Sequence, residues 1–297
     1  LGIGITASTS FEHPYTFARR LATADHHTKG RVGWNIVTSY LNSGALNIGQ
    51  PAQTNHDDRY DLADEYLEVC YKLWEGSWED GAVVRDRETG IFTHPEKVHP
   101  INHSGKYFTV PGIHLSEPSP QRTPVLYQAG ASSRGKDFAG AHAECIFVAA
   151  PSKAVLKRYV ANVRQAAERI GRNPREILAF NLQTVVLGET DAEAQRKFNE
   201  YREYASFEGA LTLISGWTGI DFGQFGPDEV LRMPCNRPSR PSRPSIRARN
   251  GRCARWRTGW ASAALARSSS ALPPRLPTLC RNGSRIPMST ASTLPMP

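Results

Sequence analysis

Over its first 232 residues the chain alternates short apolar runs with amphipathic helical segments, and this alternation restricts the accessible folds more than any other feature. LGIGIT (1–6) reads as a strand, and PYTFARRLATADHH (14–27) as a helix with Phe17, Leu21 and Ala24 at helical spacing. RVGWNIVTS (31–39) is the next strand. A polar loop with Gly44, Gly49 and Pro51 follows, then DRYDLADEYLEVCYKLWE (58–75), whose Leu62, Tyr66, Val69 and Leu73 mark an amphipathic helix. Asp57 or Asp58 stands where a cap is expected.

Residues 79–120 break the pattern and read as an insertion, with a hairpin turning at HSG (103–105). Alternation then resumes. TPVLYQAG (123–130), CIFVAA (145–150) and ILAFNLQTVVLG (177–188) read as strands. SSRGKDFAGAHAE (132–144), SKAVLKRYVANVRQAAERIG (152–171) and the Thr-capped TDAEAQRKFNEYREYA (190–205) read as helices. Repeated strand–helix units with strands buried on both faces predict an α/β fold around a parallel sheet. No GxGxxG follows a strand, so the dinucleotide fingerprint of a doubly wound sheet is missing. Polar residues gather just past strand ends: Thr6, Ser8 and Thr9, then Thr38 and Ser39, then Gln128 and Ser132. In a (β/α)8 TIM barrel that is the active face. Five strands are visible in 1–232, so the expectation is a barrel incomplete at both ends.

The composition changes abruptly near Arg232. Residues 234–297 hold twelve Arg but no Lys, Asp or Glu, in runs such as RPSRPSRPS. Setting those Arg aside leaves 24 basic residues against 28 acidic ones, so the chain's net charge of +8 belongs to its end. Arg, Pro, Ser and Ala without Lys is what GC-rich DNA gives when read out of frame. Shifting the frame by one base can restore helical periodicity and acids. The expectation is an out-of-frame, disordered tail over 233–297; the alternative is a genuine basic tail. Leu1 opens directly in a strand, which predicts a fragment. Neither a signal peptide nor a membrane span is visible. Cys70 and Cys145 lie outside the tail without CxxC spacing, which fits a reducing, cytoplasmic setting.

Several segments together resemble the bacterial luciferase-like superfamily. These are GIGITAST (2–9), HPYTFARRLATADHHTKGRVGWNIVTS (13–39), HDDRYDLADEY (56–66), KLWEGSWED (72–80), SPQRTPVLYQAGASSRGKDFAG (119–140) and SGWTGIDF (215–222). The resemblance is to its branch containing nitrilotriacetate monooxygenase component A and dibenzothiophene-sulfone monooxygenase. It implies a luciferase-type barrel and an FMN-dependent monooxygenase, the large component of a two-component system. FMN would arrive reduced (FMNH2) from a separate NAD(P)H:FMN reductase and react with O2 to form a C4a-(hydro)peroxyflavin, which oxygenates a small organic substrate. The resemblance also implies a homo-oligomer when the protein is intact, and leaves open whether this fragment is active.

The same resemblance, added to the local chemistry, selects Thr6, Asn35, His56, Tyr60, Ser132 and Ser133 as FMN-binding candidates. Thr6 ends a strand; its hydroxyl can face the flavin ring or simply bond the turn backbone. Asn35, polar in mid-strand, needs a partner, either a ring edge or a neighbouring backbone group. His56 and Tyr60 are four apart at a helix start and project to one side, where an anion is favoured. Ser132 opens a helix after the QAG turn, and with Ser133 it can cradle a phosphate or act as an ordinary cap. Gly130 permits close backbone approach, and Arg134 can neutralise phosphate or face solvent. Trp34 and Trp74 read as core. The His spacings assign no metal, and no Ser-His-Asp arrangement with an elbow is present, so no catalytic side chain is assigned. Two other readings stand beside this one: an F420- or flavin-dependent oxidoreductase of the same superfamily, and a basic-tailed nucleic-acid-binding protein. The second is disfavoured because the charge sits in the tail alone; neither nucleic acid nor membrane is expected as a partner.

Overall fold

A computed structural model describes residues 1–150, 152–218 and 220–226. The expected tail over 233–297, and the Arg232 boundary, lie outside the described residues. Helix α1 (Pro14–Thr28) follows strand β1 (Ile3–Ser8), and β2 (Val32–Val37) leads through the short α2 (Asn42–Asn47) to α3 (His56–Tyr71). A two-stranded hairpin, β3 (His103–Ser104) and β4 (Thr109–Val110), precedes β5 (Val125–Gln128). Then come α4 (Ser133–His142), β6 (Cys145–Val148), α5 (Lys153–Arg169), β7 (Leu178–Asn181), α6 (Asp191–Glu203) and α7 (Phe207–Thr218).

The main sheet has five strands in the order β1-β2-β5-β6-β7, and every pairing is parallel. With the hairpin set aside, spatial order equals chain order. A doubly wound sheet reverses its order at a switch point, whereas successive strands of a barrel do not. Helices cover one face. There Val32, Trp34 and Ile36 of β2 and Leu126 of β5 pack with Phe17, Tyr66, Leu67, Leu73 and Phe138 into the larger core. Ile146 and Val148 of β6 meet Ala139, Val163, Ala167 and Ile177 in a second, smaller core.

Burial on both faces, expected of every strand, fails on the inner face, where Phe147 of β6 is exposed and Tyr127 of β5 only half-buried, and fails most at the outer strands. All four residues of β7 are exposed, and β1 is mostly exposed or half-buried. The run 177–188 was expected to be one long strand, but ladder pairing stops at Asn181; Leu182, Val185 and Leu187 stand exposed because nothing packs on them among the described residues. Two helices fall where none was expected, α2 within the Gly-containing loop and the apolar α7, none of whose residues is buried.

Residues 77–123 carry the small hairpin and two isolated bridges, Trp78 with Val98 and Val83 with Thr93. The Trp78 indole donates to the His114 carbonyl at 2.8 Å, and the Arg122 guanidinium donates to the Trp78 carbonyl at 2.8 Å and to Asp80 at 2.7 Å. Glu65 of α3 ties the hairpin down. Its carboxylate accepts from the Tyr107 amide at 3.0 Å, the Phe108 amide at 2.8 Å and the buried His103 ring at 3.2 Å. Among the described residues no helix is long and apolar enough to cross a membrane.

Candidate functional site

Side chains alternate across a strand, so burying Trp34 and Ile36 against the helices turns Asn35 to the opposite, inner face. Thr6 of β1 and Tyr127 of β5 are its register partners, and the three form a row across the sheet. The Asn35 amide donates through Nδ2 to Thr6 Oγ1 at 3.2 Å. Its other end, Oδ1, is buried and has no hydrogen-bond partner. A buried carbonyl left unpaired costs about 1–3 kcal/mol. Of the two partners anticipated for Asn35, a neighbouring backbone group is absent, and Thr6 occupies only the donor end.

Past the ends of β1 and β2 the chain turns through hydroxyl-bearing residues. Ser39 takes a left-handed φ of 56°, uncommon for a residue with a side chain, and its hydroxyl donates to Ser8 Oγ at 2.8 Å. The Ser10 hydroxyl donates to the Thr38 carbonyl at 2.8 Å. Thr38 in turn reaches the Tyr60 hydroxyl, which also meets the Ser132 and Gln128 side chains; the Gln128 amide donates to it at 3.5 Å. Burial pushes the Tyr60 phenol above its usual value, more strongly than these contacts and Arg59 lower it. Tyr60 therefore remains a proton-bearing donor at neutral pH.

Tyr60 stands on the first turns of α3, and its ring lies 5.2 Å from that of His56, so the pair does share one side of the helix. The expected Asp cap is absent. Asn55 holds the N-cap position without a side-chain bond, Asp57 contacts the His56 ring at 2.7 Å, and Asp58 accepts from Asn55 at 3.2 Å. Asp57 and Asp58 lie inside the first turn, where their charge meets the positive helix end.

Ser132 is the N-cap of α4, its Oγ accepting from the Gly135 amide at 2.9 Å. Helix geometry leaves the Ser133 and Arg134 amides without intrahelical acceptors, and the exposed Ser133 hydroxyl stands beside them. Gly130 and Gly135 let this turn close on Tyr60. A Cβ on Gly130 would come 2.8 Å from the Tyr60 hydroxyl and 3.0 Å from the Gly135 Cα; one on Gly135 would also meet Tyr60 at 2.8 Å. Gln128 Oε1 accepts from the Gly130 amide at 2.8 Å, and the Tyr159 hydroxyl of α5 donates to the Gly130 carbonyl. Burial raises the Tyr159 phenol to about 12.

Arg134 neither faces solvent freely nor points at an open anion site. It pairs with Asp61 at 2.9 Å and with Asp64 on α3, while Asp64 also holds His142 at 2.9 Å. Burial would raise the Asp64 carboxyl, but His142 and Arg134 more than offset this and hold it below the usual carboxylate range. Among the described residues no three His, Cys, Asp or Glu side chains converge as a metal site.

The six candidates thus fall into two neighbouring groups. Thr6 and Asn35 lie on the inner sheet face, and His56, Tyr60, Ser132 and Ser133 lie where two helix N-termini meet the ends of β2 and β5. Sequence reasoning missed Tyr159, whose place in an amphipathic helix reads as core. It named Gln128 only as polar, not as the brace between Tyr60 and Gly130. The arrangement suits a long ligand with a flat polar-edged end and an anionic end. A flavin mononucleotide fits on two counts: an unpaired buried carbonyl at the sheet, and free amides beside a glycine turn at the helix.

The luciferase-like monooxygenase profile matches residues 1–266. Dimethyl-sulfide monooxygenase from Hyphomicrobium sulfonivorans is 56% identical over 232 residues, covering 78% of this chain and 48% of the relative. Nitrilotriacetate monooxygenase component A from Aminobacter aminovorans is 38% identical over 233 residues, covering 78% and 51%. Among solved structures, a long-chain alkane monooxygenase superposes with a TM-score of 0.75 at 54% identity, covering 78% of this chain and 53% of that one. A riboflavin lyase bound to a modified FMN and riboflavin superposes with a TM-score of 0.73 at 41% identity, covering 77% and 51%. The chain therefore spans about half the length of the relatives it matches.

Proposed function

The chain belongs to the luciferase-like monooxygenase family, and from that premise we propose that it is the flavin-binding part of an FMN-dependent monooxygenase, the large component of a two-component system. A separate NAD(P)H:FMN reductase supplies the reduced flavin, and the substrates are dioxygen and a small organic molecule. The observation that carries this reading is Asn35 Oδ1, buried and unpaired on the inner face next to Thr6.

Bound reduced FMN would supply the reaction with dioxygen, chemistry that no side chain of the protein provides. The protein's own residues bind, orient and shield. Thr6 Oγ1 takes the donor end of the Asn35 amide, which leaves Oδ1 to accept from an N–H on a ring edge. Ser133, with the free amides at the start of α4, receives the phosphate, and Ser132 keeps that turn in place by capping Gly135. Tyr60, held protonated by burial, donates into the same region, and His56 stands against its ring. The helix-covered side of the sheet is closely packed, which holds the strands that carry Thr6 and Asn35 as a rigid seat beneath the ring.

The test compares FMN with riboflavin, which lacks the phosphate, by quenching of flavin fluorescence on the 297-residue chain. FMN is expected to bind at least ten-fold more tightly. Equal affinities, or no quenching by either flavin, would remove the assignment.

A further inference from the structure

The inner face changes character across the sheet. Its β1–β2 side presents Thr6 and Asn35, whereas its β5–β7 side presents aromatic rings. Tyr127 and Phe147 stack with centroids 5.2 Å apart and planes at 10°, and Phe180 lies 6.0 Å beyond Phe147. Tyr127 is the register partner of Asn35, so this shelf begins next to the amide that would meet the flavin ring.

At the C-terminal ends of β6 and β7 the shelf opens into a cavity of about 710 Å³ that includes Phe147 and Phe180. Its rim carries Lys136 of α4 and Arg158 of α5, together with Asn162, and no Asp or Glu lines it. Two nearby cations are matched by carboxylates, Arg134 by Asp61 and Asp64 and Arg169 by Asp137 at 2.6 Å, whereas Lys153 and Lys157 of α5 stand outside the cavity lining. Among the described residues, neither Lys136 nor Arg158 meets a carboxylate; Lys136 Nζ lies over the Tyr159 ring, 5.5 Å from its centroid. A volume within the ~300–1,000 Å³ of small-molecule sites, an aromatic floor and an uncompensated positive rim together describe a ligand with two ends.

We propose that this cavity is the substrate subsite, and that it selects a small molecule with an apolar body and an anionic head, a sulfonate or carboxylate, held by Lys136 and Arg158. The proposal rests on the flavin reading for the word substrate, but the recognition chemistry stands on the cavity itself. The body lies on the Phe147–Phe180 shelf facing the flavin side, and the head lies at the rim between α4 and α5. A phosphate is the competing source of negative charge, because Lys136 sits one turn into the helix whose start would hold the FMN phosphate.

Isothermal titration of the full chain with hexane-1-sulfonate and with hexan-1-ol separates these possibilities. The sulfonate is expected to bind at least ten-fold more tightly than the alcohol. The double variant Lys136→Gln/Arg158→Gln should bring the two to parity without changing the circular dichroism spectrum or the preference for FMN over riboflavin. Arg158→Gln alone, on an exposed side chain, should lose at least three-fold in sulfonate affinity. Parity in the unaltered chain, or a preference that survives the double variant, overturns the proposal. So does loss of the FMN preference in the double variant, which would assign both cations to the flavin phosphate. Failure of FMN to bind, with the sulfonate preference intact and abolished by the variants, would remove the flavin reading and leave the anion subsite standing.

Discussion

Replacing Asn35 by Leu tests whether the residue is there for the fold or for a ligand. The change keeps the number and branching of heavy atoms and removes both polar ends. One loss is the bond to Thr6 Oγ1 at 3.2 Å, a neutral pair worth about 0.5–1.5 kcal/mol. Thr6 is exposed, so water can replace Asn35 as its partner. The gain is relief of the unpaired Oδ1, whose desolvation costs about 1–3 kcal/mol. Mid-range values leave the flavin-free variant more stable than the parent by about 1 kcal/mol. With a urea dependence of about 2 kcal/mol per molar, its midpoint rises by about 0.5 M. FMN affinity should move the other way, weakening about ten-fold for one lost hydrogen bond of about 1.4 kcal/mol. Urea unfolding followed by tryptophan fluorescence, with and without FMN, reads both effects on one sample. A variant less stable by 2 kcal/mol or more, with FMN affinity unchanged, would make Asn35 a structural residue and refute the reasoning.

Three further outcomes are expected. Gly140→Ala should destabilise by about 1 kcal/mol in urea, because its Cβ would lie 2.8 Å from the Ala166 Cβ and 2.9 Å from the Ala167 nitrogen; a mid-range overpacking cost of about 2 kcal/mol exceeds a helix-propensity gain of about 1 kcal/mol. For Glu65, burial acts to raise the carboxyl, but the Phe108 amide, His103 and the Tyr107 amide outweigh it and hold it below the usual 4.5. Its contribution to stability is therefore complete above about pH 4.5 and is lost as pH falls through the lower folded value; Glu65→Gln should flatten that part of the stability–pH curve measured by thermal unfolding. Arg134→Met should cost at most about 1 kcal/mol, since its ion pairs are partly exposed, and should leave the FMN-over-riboflavin ratio unchanged because its charge is already matched by Asp61 and Asp64.

The five main strands were legible because each is an apolar run bounded by turn residues, and their order needed only the rule that consecutive strand–helix units lie side by side. Strand length was not legible. ILAFNLQTVVLG has the composition of one long strand, yet only residues next to β6 pair, because a ladder is set by its neighbour rather than by local preference. Helix α7 escaped detection for a related reason: FEGALTLISGWT is apolar nearly all round, so no stripe marks its period. At the candidate site, Ser132 was readable as a cap and Asn35 as a polar anomaly in a strand, since both signals are local. The Gln128–Tyr60 contact joins residues 68 apart in the chain, and the claim of Asp61 and Asp64 on Arg134 exists only once α3 lies beside α4. Spacing along a sequence contains neither.

The two apolar clusters meet along α4, where Phe138 belongs to one and Ala139 to the other, and the turn at Gly130 lies between them at the sheet end. Tyr60 belongs to the larger cluster and Tyr159 packs on the smaller, and both grip this turn, one through the Gln128 brace and the other through the Gly130 carbonyl. A molecule seated there would act as a rivet between the two clusters. Amide exchange would then slow in α3 and α5 together on binding, although α5 lies on the far side of α4 from α3.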